Sequence, residues 1–149
     1  IHTALETYLI EKFREYFYHI LKDKDEKLIN HSFRQLRFRG TEDIKSNYWE
    51  MLNIHLPSFD IEYYSTDHCE FKPNTSWEAI KLIYTARNEI VHEGESNSYK
   101  IHNLTDIWYP IEFVVMWVRY FDLNFDEFIY NNRQTSLYKK YNESLCKIG

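Results

Sequence analysis

Residues 3–22 read TALETYLIEKFREYFYHILK, and their pattern decides the expected fold. Apolar side chains recur there at steps of three and four residues, which places them on one face of an α-helix. These side chains are Leu5, Tyr8, Leu9, Phe13, Tyr16, Phe17, Ile20 and Leu21. Because so broad an apolar face must be covered by other helices, the stretch predicts the first helix of a packed bundle.

The rest of the chain lacks the turn residues of a β fold, since its 149 residues include only 3 glycines and 3 prolines. Further helices are expected over 25–38, from Thr41 to Pro57, from the cap residues 74–76 to Gly94, over 106–121 and over 125–143. Residues 55–74 read as a long loop with a short extended piece at FDIEYY (59–64). We therefore expect an all-α bundle of five or six helices.

One domain, 1–149, is expected, because the chain has the length of a single core and shows no internal repeat or linker between domains. The sequence begins with Ile rather than Met, which suggests a fragment or one domain of a longer protein.

Cysteine content, apolar runs and the N-terminal residues favour a cytoplasmic protein that does not cross a membrane. Two cysteines, Cys69 and Cys146, do not make the disulfide framework of a secreted domain. Glu6 and Glu11 stand where a signal peptide needs an apolar core. The longest apolar run, residues 111–118, is too short to span a bilayer.

Residues 86–94, ARNEIVHEG, end the fourth expected helix and interrupt its pattern. On an ideal helix Arg87 lies within the apolar arc of residues 77–91, whereas Asn88 and His92 share the opposite polar face. An arginine within an apolar face is costly unless it meets an anion or another partner. One explanation is a buried Arg87 paired with a carboxylate of a neighbouring helix. The other is an arginine that binds an anionic ligand.

The pattern Arg87-Asn88 followed by His92, with Gly94 closing the segment, resembles the signature of the HEPN superfamily. That signature is Arg with a polar residue, often Asn, directly after it, and then His after four to six intervening residues. HEPN domains are helical bundles of about this length, and many are metal-independent endoribonucleases that act as dimers. The resemblance covers residues 75–94, and the remainder agrees in size and helical content. A second Arg-to-His spacing, Arg14 to His19, has Glu in place of Asn and lies in mid-helix.

The resemblance implies a role for each motif residue. Cleavage of RNA without a metal ion requires removing a proton from the ribose 2′-OH and stabilising negative charge at phosphorus. Histidine can transfer the proton and arginine can bind the phosphate, so His92 would be the acid and base and Arg87 the phosphate clamp. Asn88 would be a polar residue that orients or binds the RNA. Glu89 and Glu93 are expected to be surface charges. No metal site or other cofactor is expected.

A second basic segment, FRQLRFRG at 33–40, carries Arg34, Arg37 and Arg39 between Phe33 and Phe38. These arginines could bind an RNA backbone or could be the solvated face of a helix. The net charge of −5 counts against nucleic-acid binding, because phosphate contacts need basic side chains.

A second copy of the chain is expected to complete the site. Side chains five residues apart on a regular helix point about 140° away from each other, so one chain cannot easily close Arg87 and His92 on one phosphate. The residues expected at the dimer face are Ile80, Ile83, Tyr84 and Val91.

The sequence thus predicts a metal-independent endoribonuclease of a bacterial toxin or phage-defence type, with RNA as substrate. An antitoxin or a fused sensor domain is a further expected partner. Two alternatives stay open. One is a non-catalytic HEPN-like module that binds RNA, a nucleotide or a protein partner, and the other is an interaction bundle with a structural arginine.

Overall fold

The computed structural model describes residues 1–63 and 71–133, with side chains as far as residue 125. Within those ranges the fold consists of five α-helices and no strand. The helices are α1 His2–Ile20, α2 Glu26–Gln35, α3 Thr41–Leu52, α4 Ser76–Glu93 and α5 Leu104–Arg133, with a 3-10 turn at Leu56–Ser58. The expected all-α bundle is confirmed. No helix of the described ranges combines the length and apolar character needed to cross a membrane.

The apolar face of α1 lies at the centre of the core, as its sequence predicts. Leu5, Leu9 and Phe13 are each at most 1% exposed, and α1 packs against α3 and α4. Tyr48 of α3 is fully buried, and its hydroxyl donates a hydrogen bond to the backbone oxygen of Leu9 at 2.5 Å. This bond satisfies a polar atom that burial would otherwise make costly, so α3 is fixed against α1.

Helix α2 is shorter than expected, and the prediction of a helix over 25–38 is wrong at its end. The helix ends at Gln35, and Leu36 is extended with ψ 141°. Side chains of α3 hold the next residues: Asp43 accepts from the Arg39 backbone N–H at 2.9 Å, and Asn47 donates to the Arg37 oxygen at 2.6 Å. These bonds replace the helical ones, so Arg37 and Arg39 lie in a loop.

Helix α3 also differs at both ends from the expected range. Gly40 is its N-cap residue, and Thr41 is its first helical residue rather than its cap. Its last residue is Leu52, before the chain reaches Pro57, and the C-cap residue Asn53 adopts the left-handed conformation with φ 56°. Asparagine tolerates this conformation better than most residues, so it can end a helix where no glycine is present.

Helix α5 runs without a break from Leu104 to Arg133, where two helices were expected. The stretch FDLNF at 121–125 contains no glycine or proline, so nothing there ends the helix. Residues 134–143, the end of the last expected helix, lie outside the described residues.

The start of α5 is built by reciprocal capping. The Asn103 side chain accepts from the backbone N–H of Asp106, and the Asp106 carboxylate accepts from the backbone N–H of Asn103, both at 3.2 Å. Pro110 has no N–H to donate to the Asp106 oxygen one turn earlier, and the Tyr99 hydroxyl donates to that oxygen instead, at 2.5 Å. Proline is therefore tolerated inside this helix.

The expected loop before α4 positions that helix from its N-terminal end. Asp60 accepts from the Ser76 backbone N–H at 2.7 Å, and the Ser76 hydroxyl oxygen accepts from the Ile61 N–H at 2.8 Å. No strand forms over 59–63, and Tyr64, at the end of the expected extended piece, lies outside the described residues. The loop thus anchors the helix whose far end carries the Arg-Asn-His motif.

Candidate functional site

Helix α4 carries the motif and is regular through it. The Thr75 hydroxyl oxygen caps its start by accepting from the Glu78 N–H at 3.2 Å. The helix continues to Glu93 and ends at Gly94, which has φ 84° and donates its N–H to the Ile90 oxygen at 3.0 Å. Both expected ends are confirmed. Because the glycine lies beyond His92, it does not bend the helix between the two motif residues.

Arg87 is exposed, and the explanation of a buried, ion-paired arginine is wrong. Its Nη1 donates to Oδ1 of Asn88 at 2.7 Å, and no carboxylate whose side chain the structure describes forms an ion pair with it. The apolar arc of α4 extends past the core at this end: Ile83 is 7% exposed, but Val91 is 60% exposed. The cation is thus held in place by Asn88 and is open to solvent at this end of α4.

His92 is exposed on the opposite side of α4. Among the described residues, none donates or accepts a hydrogen bond at its imidazole ring. Arg87 and His92 point about 140° apart on this regular helix, so one chain does not bring them together. Asn88 and Arg87 are the pair that a single chain does assemble.

A groove of about 300 Å³ opens beside Arg87, between the first turn of α1, the last turns of α4 and the start of α5. Aliphatic side chains form most of its wall, including Ile83, Ile90 and Ile107. Its polar or charged side chains include those of Arg87, His2 and Asp106. We call it the α4–α5 groove. The groove could not be predicted from the sequence, because periodicity shows which face of a helix is apolar and not where the neighbouring helices end.

Glu89 has a structural role that the sequence did not reveal. Its carboxylate accepts four hydrogen bonds from the loop after α4. They come from the hydroxyl of Ser96, the backbone N–H of Asn97, and the backbone N–H and hydroxyl of Ser98, at 2.6 to 2.9 Å. Hydrogen bonds from Ser98 and then Ser96 lower the pKa of Glu89 to about 2. The carboxylate therefore fastens this loop to the motif helix, and the serines of the loop were the available signal.

The second basic segment presents all three of its arginines to solvent. Phe33 and Phe38 turn inward, with ring centroids 6.3 and 5.3 Å from that of Phe13. Arg34 lies on α2, and Arg37 and Arg39 lie in the following loop. The expectation of a helix face is therefore wrong for the last two.

This segment touches the motif helix through Tyr84. The Tyr84 hydroxyl donates to the Arg39 backbone oxygen at 3.4 Å. Tyr84 lies one turn before Arg87 on α4, so the basic segment and the motif lie on neighbouring parts of the surface.

The competing pair, Arg14 and His19, lies in α1 as expected. Nη1 of Arg14 pairs with Glu11 at 2.9 Å, and its guanidinium lies 4.8 Å from the centre of the Phe33 ring. Arg14 is thus occupied by contacts within the fold, in contrast to Arg87.

No group of three or more His, Cys, Asp or Glu side chains in the described residues is arranged to hold a metal ion. His68 and Cys69, which the sequence shows as neighbours, lie outside the described residues, and so does Cys146.

Comparison with known proteins gives no match to a protein family model, a curated protein or a solved structure. The resemblance to the HEPN superfamily therefore remains a hypothesis carried by Arg87, Asn88 and His92.

Proposed function

We propose that this protein is a metal-independent endoribonuclease of a bacterial toxin or phage-defence type. The observation that carries the proposal is Arg87, an exposed cation without an ion-pair partner among the described side chains, oriented by Asn88 at the end of α4. A structural arginine would be expected to pair with a carboxylate, as Arg14 does. An arginine held ready for an anion fits phosphate binding.

The proposed reaction uses the two motif side chains in different roles. His92 accepts the proton of the ribose 2′-OH, and the 2′ oxygen attacks the adjacent phosphorus. The bond from phosphorus to the 5′ oxygen breaks, and that oxygen takes up the proton from the His92 imidazolium. The products are a 2′,3′-cyclic phosphate and a 5′-hydroxyl. Arg87 stabilises the charge that develops on the phosphate oxygens.

The regular helix supports a site shared by two copies, in which Arg87 of one chain acts with His92 of its partner. The expected dimer face is wrong in part, because Ile80 and Ile83 are 0% and 7% exposed and belong to the core of their own chain. Exposed apolar residues instead surround the motif end of the molecule. We propose an interface that includes Leu104 and Trp108 of α5, which are 84% and 60% exposed.

Arg34, Arg37 and Arg39 would extend the RNA surface from the motif. Their exposure and the contact of the Arg39 backbone with Tyr84 support this role. They concentrate positive charge on one part of a chain whose net charge is −5. Such local clustering allows phosphate binding by an acidic protein.

The experiment is incubation of the purified protein with RNA in excess EDTA, with the wild type beside Arg87→Ala and His92→Ala. We expect the wild type to cut RNA and both variants to lose cleavage, while Arg14→Ala and His19→Ala keep it. Cleavage that requires added Mg²⁺ or Mn²⁺, or that survives in both motif variants, would contradict the proposal. Binding of RNA without cleavage would favour the non-catalytic module.

A further inference from the structure

A second pocket, of about 460 Å³, lies between the last turns of α1 and the end of α2. Its size falls within the range of small-molecule sites. Phe33, Leu36 and Phe38 form its apolar wall, and each is only half-buried, so apolar surface stays open to a ligand. Its other described lining side chains are polar or charged. We call it the α1–α2 pocket.

The apolar wall of the α1–α2 pocket is held in place by contacts within the fold. Leu36 leaves α2 in an extended conformation, while its N–H still donates to the Phe33 oxygen at 3.1 Å. The rings of Phe33 and Phe38, on either side of Leu36 in the sequence, have centroids 5.9 Å apart. Asn47 of α3 fixes the next residue, Arg37, by donating to its backbone oxygen. The wall is therefore formed before any ligand binds.

Arg34 is the cation of this pocket that can bind an anion. Its side chain is exposed, and no carboxylate whose side chain the structure describes forms an ion pair with it. Arg14, by contrast, pairs with Glu11 at 2.9 Å and lies 4.8 Å from the centre of the Phe33 ring. A guanidinium without such a partner suits a phosphate group, which it can bind through two parallel N–H donors.

The Asn30 amide supplies a polar edge that a ligand can reach. Its Oδ1 accepts from the Tyr18 hydroxyl, which fixes the amide and leaves Nδ2 with two donor hydrogens. Nδ2 makes no hydrogen bond to a described residue, and it is accessible to solvent, in contrast to the ring nitrogens of His2. The amide can thus donate to a carbonyl oxygen or ring nitrogen of a base.

The α1–α2 pocket lies away from the motif but is joined to it by the basic segment. His2, in the first turn of α1, lies beside Arg87 in the α4–α5 groove, whereas Arg14 of the same helix lines the α1–α2 pocket. They are separated by just over three turns of α1, which is about 18 Å. Phe38 lines the pocket, and the backbone of the next residue, Arg39, contacts α4. A strand bound along this segment would reach the pocket several nucleotides from the motif.

We propose that the α1–α2 pocket receives one unpaired nucleotide of the RNA, several nucleotides from the bond that is cut. Its base contacts Phe33 and Phe38, and Arg34 binds its phosphate. Asn30 donates to the base edge. The choice of RNA as ligand rests on the proposed function. A base within a duplex is stacked and paired, so the pocket selects RNA that is single-stranded at this position.

The test uses uridine and adenosine 5′-monophosphates, with ribose 5-phosphate as the control without a base. The Asn30 side-chain amide and the Leu36 methyl groups report binding by NMR. We expect both nucleotides to shift these signals and to bind at least about tenfold more tightly than ribose 5-phosphate, because they add base contacts. Equal affinity of the sugar phosphate, or no shift at either reporter, would overturn the inference.

Two variants test the phosphate and base contacts separately. Arg34→Gln and Asn30→Leu should each weaken binding of both nucleotides by at least about threefold, and only Arg34→Gln should weaken ribose 5-phosphate as well. Lys45→Gln is the matched control and should bind as the wild type does, because Lys45 already pairs with Glu42 at 2.7 Å. Since Arg34 is exposed, Arg34→Gln should stay folded, and circular dichroism checks this. Unchanged nucleotide binding by Arg34→Gln would contradict the proposed site.

RNA itself is tested with the His92→Ala variant, which we expect not to cut it. A single-stranded RNA should displace uridine 5′-monophosphate from the pocket, whereas the same RNA paired with its complement should not. Equal displacement by the duplex would contradict the selection of unpaired nucleotides. Displacement by neither RNA would overturn RNA as the ligand and leave a free nucleotide in its place.

The outcomes also distinguish this inference from the proposed function. Displacement by single-stranded RNA, without any cleavage by the wild type, would support the pocket and contradict the nuclease. Cleavage by the wild type, without nucleotide binding in the pocket, would support the nuclease and contradict the pocket.

Discussion

Arg87 and His92 lie on the same exposed end of α4 but are held differently. The Arg87 guanidinium is fixed by Asn88, whereas the His92 ring makes no hydrogen bond to the described residues. In a shared site, the substrate or the second copy would supply the contacts that His92 lacks. We expect residues placed in this way to contribute little to the stability of the fold.

Stability measurements on the two motif variants test this placement. Arg87→Ala and His92→Ala should each change the free energy of unfolding by less than about 0.5 kcal/mol, because both side chains are exposed and neither removal strands a buried charge. Denaturant unfolding of both variants and the wild type is the measurement. A loss of several kcal/mol in Arg87→Ala would mean that the arginine is structural.

Prediction from the sequence was least complete at this scale. Both ends of α4 were predicted correctly, because cap residues and glycine act locally. The exposure of Arg87 was not predicted, because it depends on where the neighbouring ends of α1 and α5 lie beside α4. The burial of His2 against Tyr84 also depends on tertiary contacts between α1 and α4, which no local pattern contains.

At the level of elements, α4 and the loop after it form one unit through Glu89. The loop carries Tyr99, whose hydroxyl completes the hydrogen bonding of α5 at Asp106. The Glu89 carboxylate therefore links the motif helix to the start of α5, where the groove opens. The helices themselves were predictable from periodicity. Their exact ends could not be predicted where side chains of another helix determine them. Asp43 and Asn47 of α3 do so after α2.

The Glu89 contacts should be visible in a pH titration of its carboxyl carbon by NMR. The folded protein should titrate at about 2, and Ser98→Ala should raise the midpoint because it removes the largest favourable contact. Since the folded pKa lies below the ordinary value of 4.5, the stabilisation is present above pH 4.5 and is lost as pH falls toward 2. A wild-type midpoint near 4.5 would show that the loop is not fastened to Glu89.

At the level of the whole molecule, exposed apolar side chains collect around the motif end. Besides Leu104 and Trp108, this region includes Ile90, Val91 and Ile101, each at least 41% exposed. Large exposed apolar patches on a folded protein commonly mark an interface. An isologous dimer through this end needs one self-complementary surface and would place two motifs in one cleft.

Two leucines of α5 provide a matched test of that interface. Leu104 and Leu123 are 84% and 81% exposed and are separated by about 28 Å along the helix. Leu104→Asp should dissociate the dimer, whereas Leu123→Asp should leave it intact, because only the first lies beside the motif. Sedimentation velocity measures the assembly, and circular dichroism checks that both variants stay helical. Dissociation by Leu123→Asp but not by Leu104→Asp would place the interface elsewhere.

The most direct test of the shared site is to mix two inactive variants. Arg87→Ala and His92→Ala are purified separately, unfolded and refolded together, and assayed on RNA in EDTA. If Arg87 of one copy acts with His92 of its partner, each mixed dimer regains one intact site, and random pairing should restore about a quarter of wild-type activity. If native mass spectrometry shows mixed dimers and the mixture still cuts no RNA, the proposed site between two copies is contradicted.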